Sequence, residues 1–581
     1  MKTLPPRANL DHLKKQAKTL LRRYRAGDPD AIARFADVLP ASAGRTSEQI
    51  TALRLRLHDA QSCIAREYGF VSWAALSLHV EARAFAHGDR TTLIRRWLAF
   101  AYGGDVTGNH DAARPHLAAH LLEQHPELFA GDASVACAAG DFAVVAAAIA
   151  ADPEWIDRRR GPLGLPPLVA VTHSRLGYLP DFITRLRVCA HGLLRAGADP
   201  NQSIGNRFPP ASLAVPDETA PLSALYGAAG VNRDPVLTEM LLTAGADPND
   251  NESLYHSVEN PDCTRVLLRH GARVAGTNAL RRALDMPEPD AIELLLAHGG
   301  DPNEPAAEGP VKIWGPPLLR AIAVRRSPRH IAALLAAGAD PVARTPGGIS
   351  AYRLAMQAGL TDVAELLRAA GAAEALTPDE AFVAACARAD AVEARRIQAR
   401  HPHLPGSLAA DRLRLMPDTA AWGAAEAVMV MVERGWPVDV RGGDWDATAL
   451  NHAVVRGDPE LTGFLLTHGA SWCESHGHGS DVLGTLSWAS VNEPAEPHQR
   501  RAVPGNRDWT GCARALVAHG LPRAERDPSN PGGVVIDGRP MRFSEAVTEV
   551  LLAGGIRPGG QLPGAPSFAR NARARCDCGS W

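Results

Sequence analysis

Cys473, His476 and His478 stand in a Cys-x-x-His-x-His run, where one soft thiolate and two imidazoles could ligate a metal such as zinc. His116 and His120 fall one helical turn apart, with Glu123 and His125 close behind, a spacing that puts two imidazoles on one helix face. Cys576-Asp577-Cys578 offers two thiols to redox or metal chemistry. Each run also has a plainer reading: a polar hairpin, a solvated helix surface, an inert terminus. The plainer readings are preferred, because spacing alone is weak evidence for a metal. A P-loop, a GxSxG elbow, an HExxH helix and an EF-hand loop are all missing from the sequence. The expectation is therefore no catalytic residue, no metal ligand and no cofactor.

The elements that would position such groups are set by a recurring phrase. It reads LLRAGADPNQ at Leu193–Gln202, LLTAGADPND at Leu241–Asp250 and LLAHGGDPNE at Leu295–Glu304. Weaker copies begin at Leu267, Leu334, Met431, Leu465, Leu516 and Leu551. The glycines of the phrase step 33 residues from Gly338 to Gly371 and 34 from Gly435 to Gly469. A unit this short cannot bury a core alone, so neighbours must stack and the chain becomes quasi-one-dimensional. Each unit carries Ala and Leu on two short helices. Gly at C′ accepts a positive φ, and Asp-Pro turns the chain away.

The 581 residues exceed one globular core, but a solenoid lengthens without enlarging its core. Charge is balanced, with 61 Lys and Arg against 64 Asp and Glu, so nothing global favours nucleic acid or an anionic membrane. Nine scattered cysteines argue against a disulfide framework and for a reducing compartment. The first residues lack an apolar h-region, and no window suits a membrane span. A cytoplasmic location follows, with export by a specialised secretion system left open. The Ala/Arg/Gly/Pro-heavy style suggests a GC-rich bacterial genome.

Residues 1–85 read as a helical cap. Asn9 caps a first helix whose Leu10, Leu13, Ala17, Leu20, Leu21 and Tyr24 share a face, and Asp28-Pro29 opens a second. A third is expected over about Leu53–Glu67, and a fourth ends near Arg83. Lys14, Lys15, Lys18, Arg22, Arg23 and Arg25 make the first helix basic, usually a solvated face. Residues 86–560 carry the array, degenerate over 86–160, with inserted loops near 204–219 and 491–508. Residues 561–581 have no periodicity and read as a disordered tail.

This spacing resembles the ankyrin repeat family, whose unit opens on Thr-Pro-Leu-His-x-Ala and closes on Leu-Leu-x-x-Gly-Ala-Asp. The close is kept well over about Ala113–Pro558. The best opening is Thr448-Ala449-Leu450-Asn451-His452-Ala453, beside Ala220-Pro221-Leu222-Ser223 and Pro316-Pro317-Leu318-Leu319. Asn451, Ser223 and Leu319 stand where the family has its histidine, which calls the usual inter-repeat hydrogen bonds into question there. The leading block resembles a segment found ahead of ankyrin arrays in many bacterial proteins. The resemblance implies an all-α solenoid of stacked helix pairs with short or missing hairpins, which binds other proteins and catalyses nothing.

In such an array the residue after the family histidine faces the groove, a column of Ala224, His256, Arg282, Arg320, Leu354, His452 and Trp488. With Arg281 and Arg353 beside it, the middle of the groove is expected to be basic and to grip an acidic segment of an unidentified protein partner. The competing reading pairs these arginines with acids nearby. Trp436, Trp445, Trp472 and Trp488 form a second cluster, and Trp445, in Gly-Gly-Asp-Trp-Asp, reads as an exposed loop tip. The candidate partner-binding set is thus His256, Arg281, Arg282, Arg320, Arg353, His452, Trp445 and Trp488. Two alternatives stand behind it. One is a metal-dependent or catalytic effector with its site in the N-terminal region or inserted loops. The other is an adaptor meeting nucleic acid through the basic first helix, although neither nucleic acid nor membrane is expected as a partner.

Overall fold

The computed structural model describes residues 2–5, 8–53, 55–85, 89–108, 112–208, 216–305, 315–492, 507–530 and 533–554. Gly555, the Cys576/Cys578 pair and the expected tail lie outside them. So do the middles of both inserted loops, 209–215 and 493–506. The chain forms two compact units, Met1–Arg273 and Val274–Trp581.

The first unit begins as its hydrophobic pattern requires. Asn9 accepts from the amides of Asp11 (2.8 Å) and His12 (3.3 Å) and starts the helix Leu10–Arg25. Asp28 caps Pro29–Val38 in the same way. Leu13, Ala17, Leu20, Leu21, Phe35, Ile50 and Ile64 close a small apolar core, and the Tyr24 hydroxyl donates into it, to the Ile50 carbonyl at 2.7 Å. One expectation shifts here. The helix expected over Leu53–Glu67 starts later, at Leu57, and a short helix that was not expected, Ser47–Ala52, precedes it with a start of its own. Thr46 and Gln49 form a capping box, and Asp59 accepts the Arg56 amide at 2.7 Å, so Leu53 is left extended.

Paired helices follow in both units. The first helices of successive pairs pack on one another, as do the second helices. In the second unit one layer holds Pro317–Ala323, Ala351–Gln357, Pro378–Ala387, Leu415–Ala421, Ala449–Arg456 and Val482–Asn492. The other holds Pro328–Ala336, Thr361–Ala369, Ala425–Glu433, Pro459–Thr467, Trp509–Ala518 and Glu545–Ala553, among others. A single apolar cluster runs from Phe382 to Leu551 between them. Ala385, Ala420, Ala449 and Ala453 are fully buried in it, small enough for neighbouring helices to approach.

The repeated glycines do what backbone sterics demand. Gly197, Gly245, Gly338 and Gly469 have φ of +99°, +100°, +93° and +97°. An added Cβ would meet nothing within 4 Å at any of them, so conformation and not space selects glycine.

Strands appear where helices or loops were expected. The ends of the first inserted loop pair as antiparallel strands, Ser203–Asn206 with Asp217–Ser223. Near the C-terminus Glu525–Arg526, Val534–Ile536 and Arg539–Met541 make a three-stranded sheet. Its second turn is Asp537-Gly538, both with positive φ, the two-residue hairpin that Asp-Gly favours. A further pair, Arg441–Gly442 with Ala447–Thr448, closes a four-residue turn, and the remaining elements among the described residues are helices.

Candidate functional site

The Asp-Pro-Asn that ends the strong copies proves to be a joint between repeats. Asp199 accepts the Asn201 amide at 2.9 Å and holds that side chain outward. Asn201 then accepts the Asp247 amide at 2.8 Å and donates to the Gly245 carbonyl at 3.3 Å. Asn249 takes the Arg273 amide at 2.9 Å, and Asn303 takes the Asp340 amide at 2.8 Å. At the family's histidine position Asn451 restores the missing bonds. It donates to the Glu474 carbonyl (3.2 Å) and accepts from the Thr485 hydroxyl (2.8 Å).

These joints leave the first-helix layer to carry the expected binding residues, and the structure sorts them. Arg282 and Arg320 share one acid, reaching Asp285 at 3.2 and 3.0 Å. One carboxylate answers two guanidinium groups, so the pair is held within the fold and still carries one positive charge more than its acid. Arg281 is 6% exposed and clamps the carbonyls of Gly315 (3.2 Å) and Glu304 (3.0 Å). Burial lowers its pKa. It holds a loop and is unavailable to a partner. His256, in the first unit, sits 3.2 Å from Glu252 and packs between the rings of Tyr226 and Tyr255 at 4.9 and 4.8 Å.

His452 is corrected as well. It is 2% exposed, and Nε2 has no hydrogen-bond partner among the described residues. Burial, with Arg456 and His476 adding to it, pushes its imidazole down to about 4. Trp445 stands in the turn of the hairpin that pairs Arg441–Gly442 with Ala447–Thr448, as expected, but it is not fully exposed. Its ring lies half-buried between His452 and His476, with centroids 4.8 and 4.9 Å away. Trp436 is buried at 2%. Trp488 is 54% exposed, on the helix Val482–Asn492 with Val491 (46%) one turn on. Arg353 also stays within reach of solvent, 3.5 Å from both Glu374 and Glu380.

The possible metal run is spread out. His476 Nδ1 accepts the His478 amide at 3.2 Å, and its ring faces Trp445. The Cys473 amide donates to Ser471 Oγ at 3.2 Å. His116 is exposed while His120 is half-buried. No group of three or more His, Cys, Asp and Glu able to hold a metal occurs among the described residues. On the basic first helix, Lys14 lies 3.5 Å from Asp11 and Arg23 2.5 Å from Asp28.

Two groupings had no signal in the residue pattern. In the first unit, Tyr226 packs edge-on to His173 at 5.6 Å and continues to His256, a run of rings across successive repeats. It requires the π-turn Gly227–Val231, where a Cβ on Gly227 would strike His173 Nδ1 at 2.5 Å. In the second unit, Arg412 reaches Glu380 Oε1 at 3.4 Å, beside Arg353. Both depend on residues from different repeats.

No protein-family profile matches the chain, and no curated protein matches it. Among solved structures it is similar to the human ASB11 ankyrin repeat domain, at 19% identity and a TM-score of 0.30, over 42% of this chain and 99% of that one. It is also similar to the ankyrin repeat domain of Bcl-3, described as a member of the IkappaB protein family. That match has 25% identity and a TM-score of 0.27, over 36% of this chain and 87% of that one. The chain's own geometry is of the ankyrin type: layered helix pairs, left-handed glycine closes and Asp-Pro turns.

Proposed function

We propose that this protein is a non-enzymatic interaction array that recognises a protein partner through the first-helix layer of its second unit, and that an acidic segment of the partner meets basic groups there. The observation that carries the reading is Trp488. A tryptophan left 54% exposed on a helix whose Leu483, Leu486 and Ala489 are fully buried stands outside the apolar cluster of the described residues. Exposed aromatics of this kind concentrate binding energy, and truncating a true anchor costs about 2 kcal/mol or more. The layer is held by buried alanines and inter-repeat bonds, so little ordering is lost on binding. A reducing, cytoplasmic setting suits the free, buried thiols of Cys63, Cys137, Cys189, Cys263, Cys386 and Cys512, whereas Cys473, against the expectation, is disulfide-bonded. No helix among the described residues is long and apolar enough to cross a membrane.

The test compares wild type with Trp488→Ala against a partner recovered by affinity capture. The dissociation constant should rise about thirtyfold while the melting temperature stays put. An unchanged constant rejects this face as the interface.

A further inference from the structure

We infer that Arg353 and Arg412 form a carboxylate-binding notch, whose occupant is an Asp or Glu side chain of the partner protein. This rests on the interaction reading above and names the group that reading leaves unspecified. Three successive stretches build the notch. Arg353 comes from the helix Ala351–Gln357, Glu380 from Pro378–Ala387, and Arg412 from the short turn Ala410–Leu413.

The notch is short of acceptors. Both guanidinium groups approach the same oxygen, Glu380 Oε1, Arg353 at 3.5 Å and Arg412 at 3.4 Å. Those distances exceed the roughly 2.7–2.9 Å of a strong charge-assisted bond. The other oxygen of Glu380 is already committed, accepting the Thr377 amide at 3.0 Å in a capping box. Glu374 offers no relief. It takes the Ser350 hydroxyl on one oxygen and faces Arg344 and Arg353, each at 3.5 Å, with the other. Arg353 Nη2 donates to the Ala375 carbonyl at 3.3 Å, while its Nε, 3.5 Å from Glu374, and Arg412 Nη1 make no hydrogen bond among the described residues.

Three guanidinium groups thus face two carboxylates, a surplus of one positive charge. The Arg353 and Arg412 side chains are 28% and 23% exposed, so the surplus reaches the surface. Charged N–H groups are normally paired with strong acceptors, and the exposed parts of these two guanidinium groups have only long contacts to Glu380 within the fold. A carboxylate supplies two acceptor oxygens and the missing negative charge together. A cation would be repelled, and an apolar group would leave both N–H groups orphaned.

The test uses the full chain and a fluorescent hexaglutamate peptide, with hexalysine as control and anisotropy as readout. Wild type should bind hexaglutamate and not hexalysine, and inorganic phosphate should compete. Arg412→Gln and Arg353→Gln should each weaken binding by about tenfold or more. Arg412→Lys, which keeps the charge and loses the fork, should fall between. Arg368→Gln, which removes a pair with Glu365 and a long bond (3.4 Å) to the Tyr352 hydroxyl but touches neither Glu374 nor Glu380, should not change it. If hexaglutamate binds and the notch variants weaken it no more than Arg368→Gln does, the notch is wrong and the interaction reading survives. If wild type binds hexalysine as well as hexaglutamate, or neither peptide, carboxylate recognition is overturned. Circular dichroism of each variant separates a lost site from a lost fold.

Discussion

Asn303 holds its neighbouring repeat at two points, accepting the Asp340 amide at 2.8 Å and donating to the Gly338 carbonyl at 2.8 Å. One side chain therefore satisfies the close of the next unit, 35 residues on. The same arrangement recurs at Asn201 and Asn249 in the first unit. The Asp-Pro-Asn phrase is thus a joint between tiles, and its asparagine acts at the boundary between units and not within one.

Asn303→Ala removes both bonds, and their net worth of about 1 kcal/mol each should appear as a loss of roughly 1–2 kcal/mol in urea unfolding. Asn303→Asp keeps the acceptor and loses the donor, so it should cost less. Equal stability of all three proteins would show that the joint contributes nothing.

Val342 stands where this asparagine would be in the copy after Gly338, and it is 55% exposed. Val342→Asn should add bonds toward the next close at Gly371 and stabilise by about 1 kcal/mol. A midpoint that falls would mean that the geometry of this joint differs from the three upstream.

Three buried histidines give the fold an acid limit. Burial, aided by Arg175 at His173, Arg326 at His330 and Arg456 at His452, pushes each from 6.5 down to about 4. The unfolded chain takes up these protons first. The stability is therefore whole above about pH 6.5 and lost as pH falls toward 4. Each histidine accounts for up to about 3 kcal/mol of that loss. Thermal unfolding should show a falling melting temperature from pH 7 to 5, less steep in His452→Gln. A flat profile would contradict the burial of these rings in the neutral form.

Glu474 works in the other direction. Burial raises its carboxyl from 4.5 to about 7, so the fold prefers it protonated. The stability it lends is present below about pH 4.5 and lost as pH rises through 7. Glu474→Gln keeps an acceptor for the Ser471 amide and cannot ionise. It should therefore melt higher than wild type at pH 8 and alike at pH 4.5. A variant that melts lower at pH 8 would show that the ionised carboxylate is required.

The helix pairs, the Asn9 and Asp28 starts and the glycine closes were legible because local rules decide them: apolar spacing, side-chain caps and positive φ. The Asp537-Gly538 hairpin carried an equally local signal in its own dipeptide, masked by the helical rhythm around it. The candidate site was far less legible. The Arg282–Asp285 pair is local, three residues apart, but that the same acid also meets Arg320 from the next repeat follows only from stacking. Trp445 looked exposed from its glycine-rich surroundings, while its burial depends on His452 and His476 arriving from other segments. Arg412 had no pattern at all. Its place beside Arg353 follows from stacking, which sets residues 59 positions apart against one carboxylate.

The most direct measurement is hydrogen–deuterium exchange on the full chain, alone and saturated with a captured partner. Slowed exchange in the first-layer segments 351–357, 410–421 and 482–492, with the second-layer helices 459–467 and 509–518 unchanged, is the predicted result. Slowing confined to those second-layer helices, or to residues 10–38, would contradict recognition through the first-helix layer.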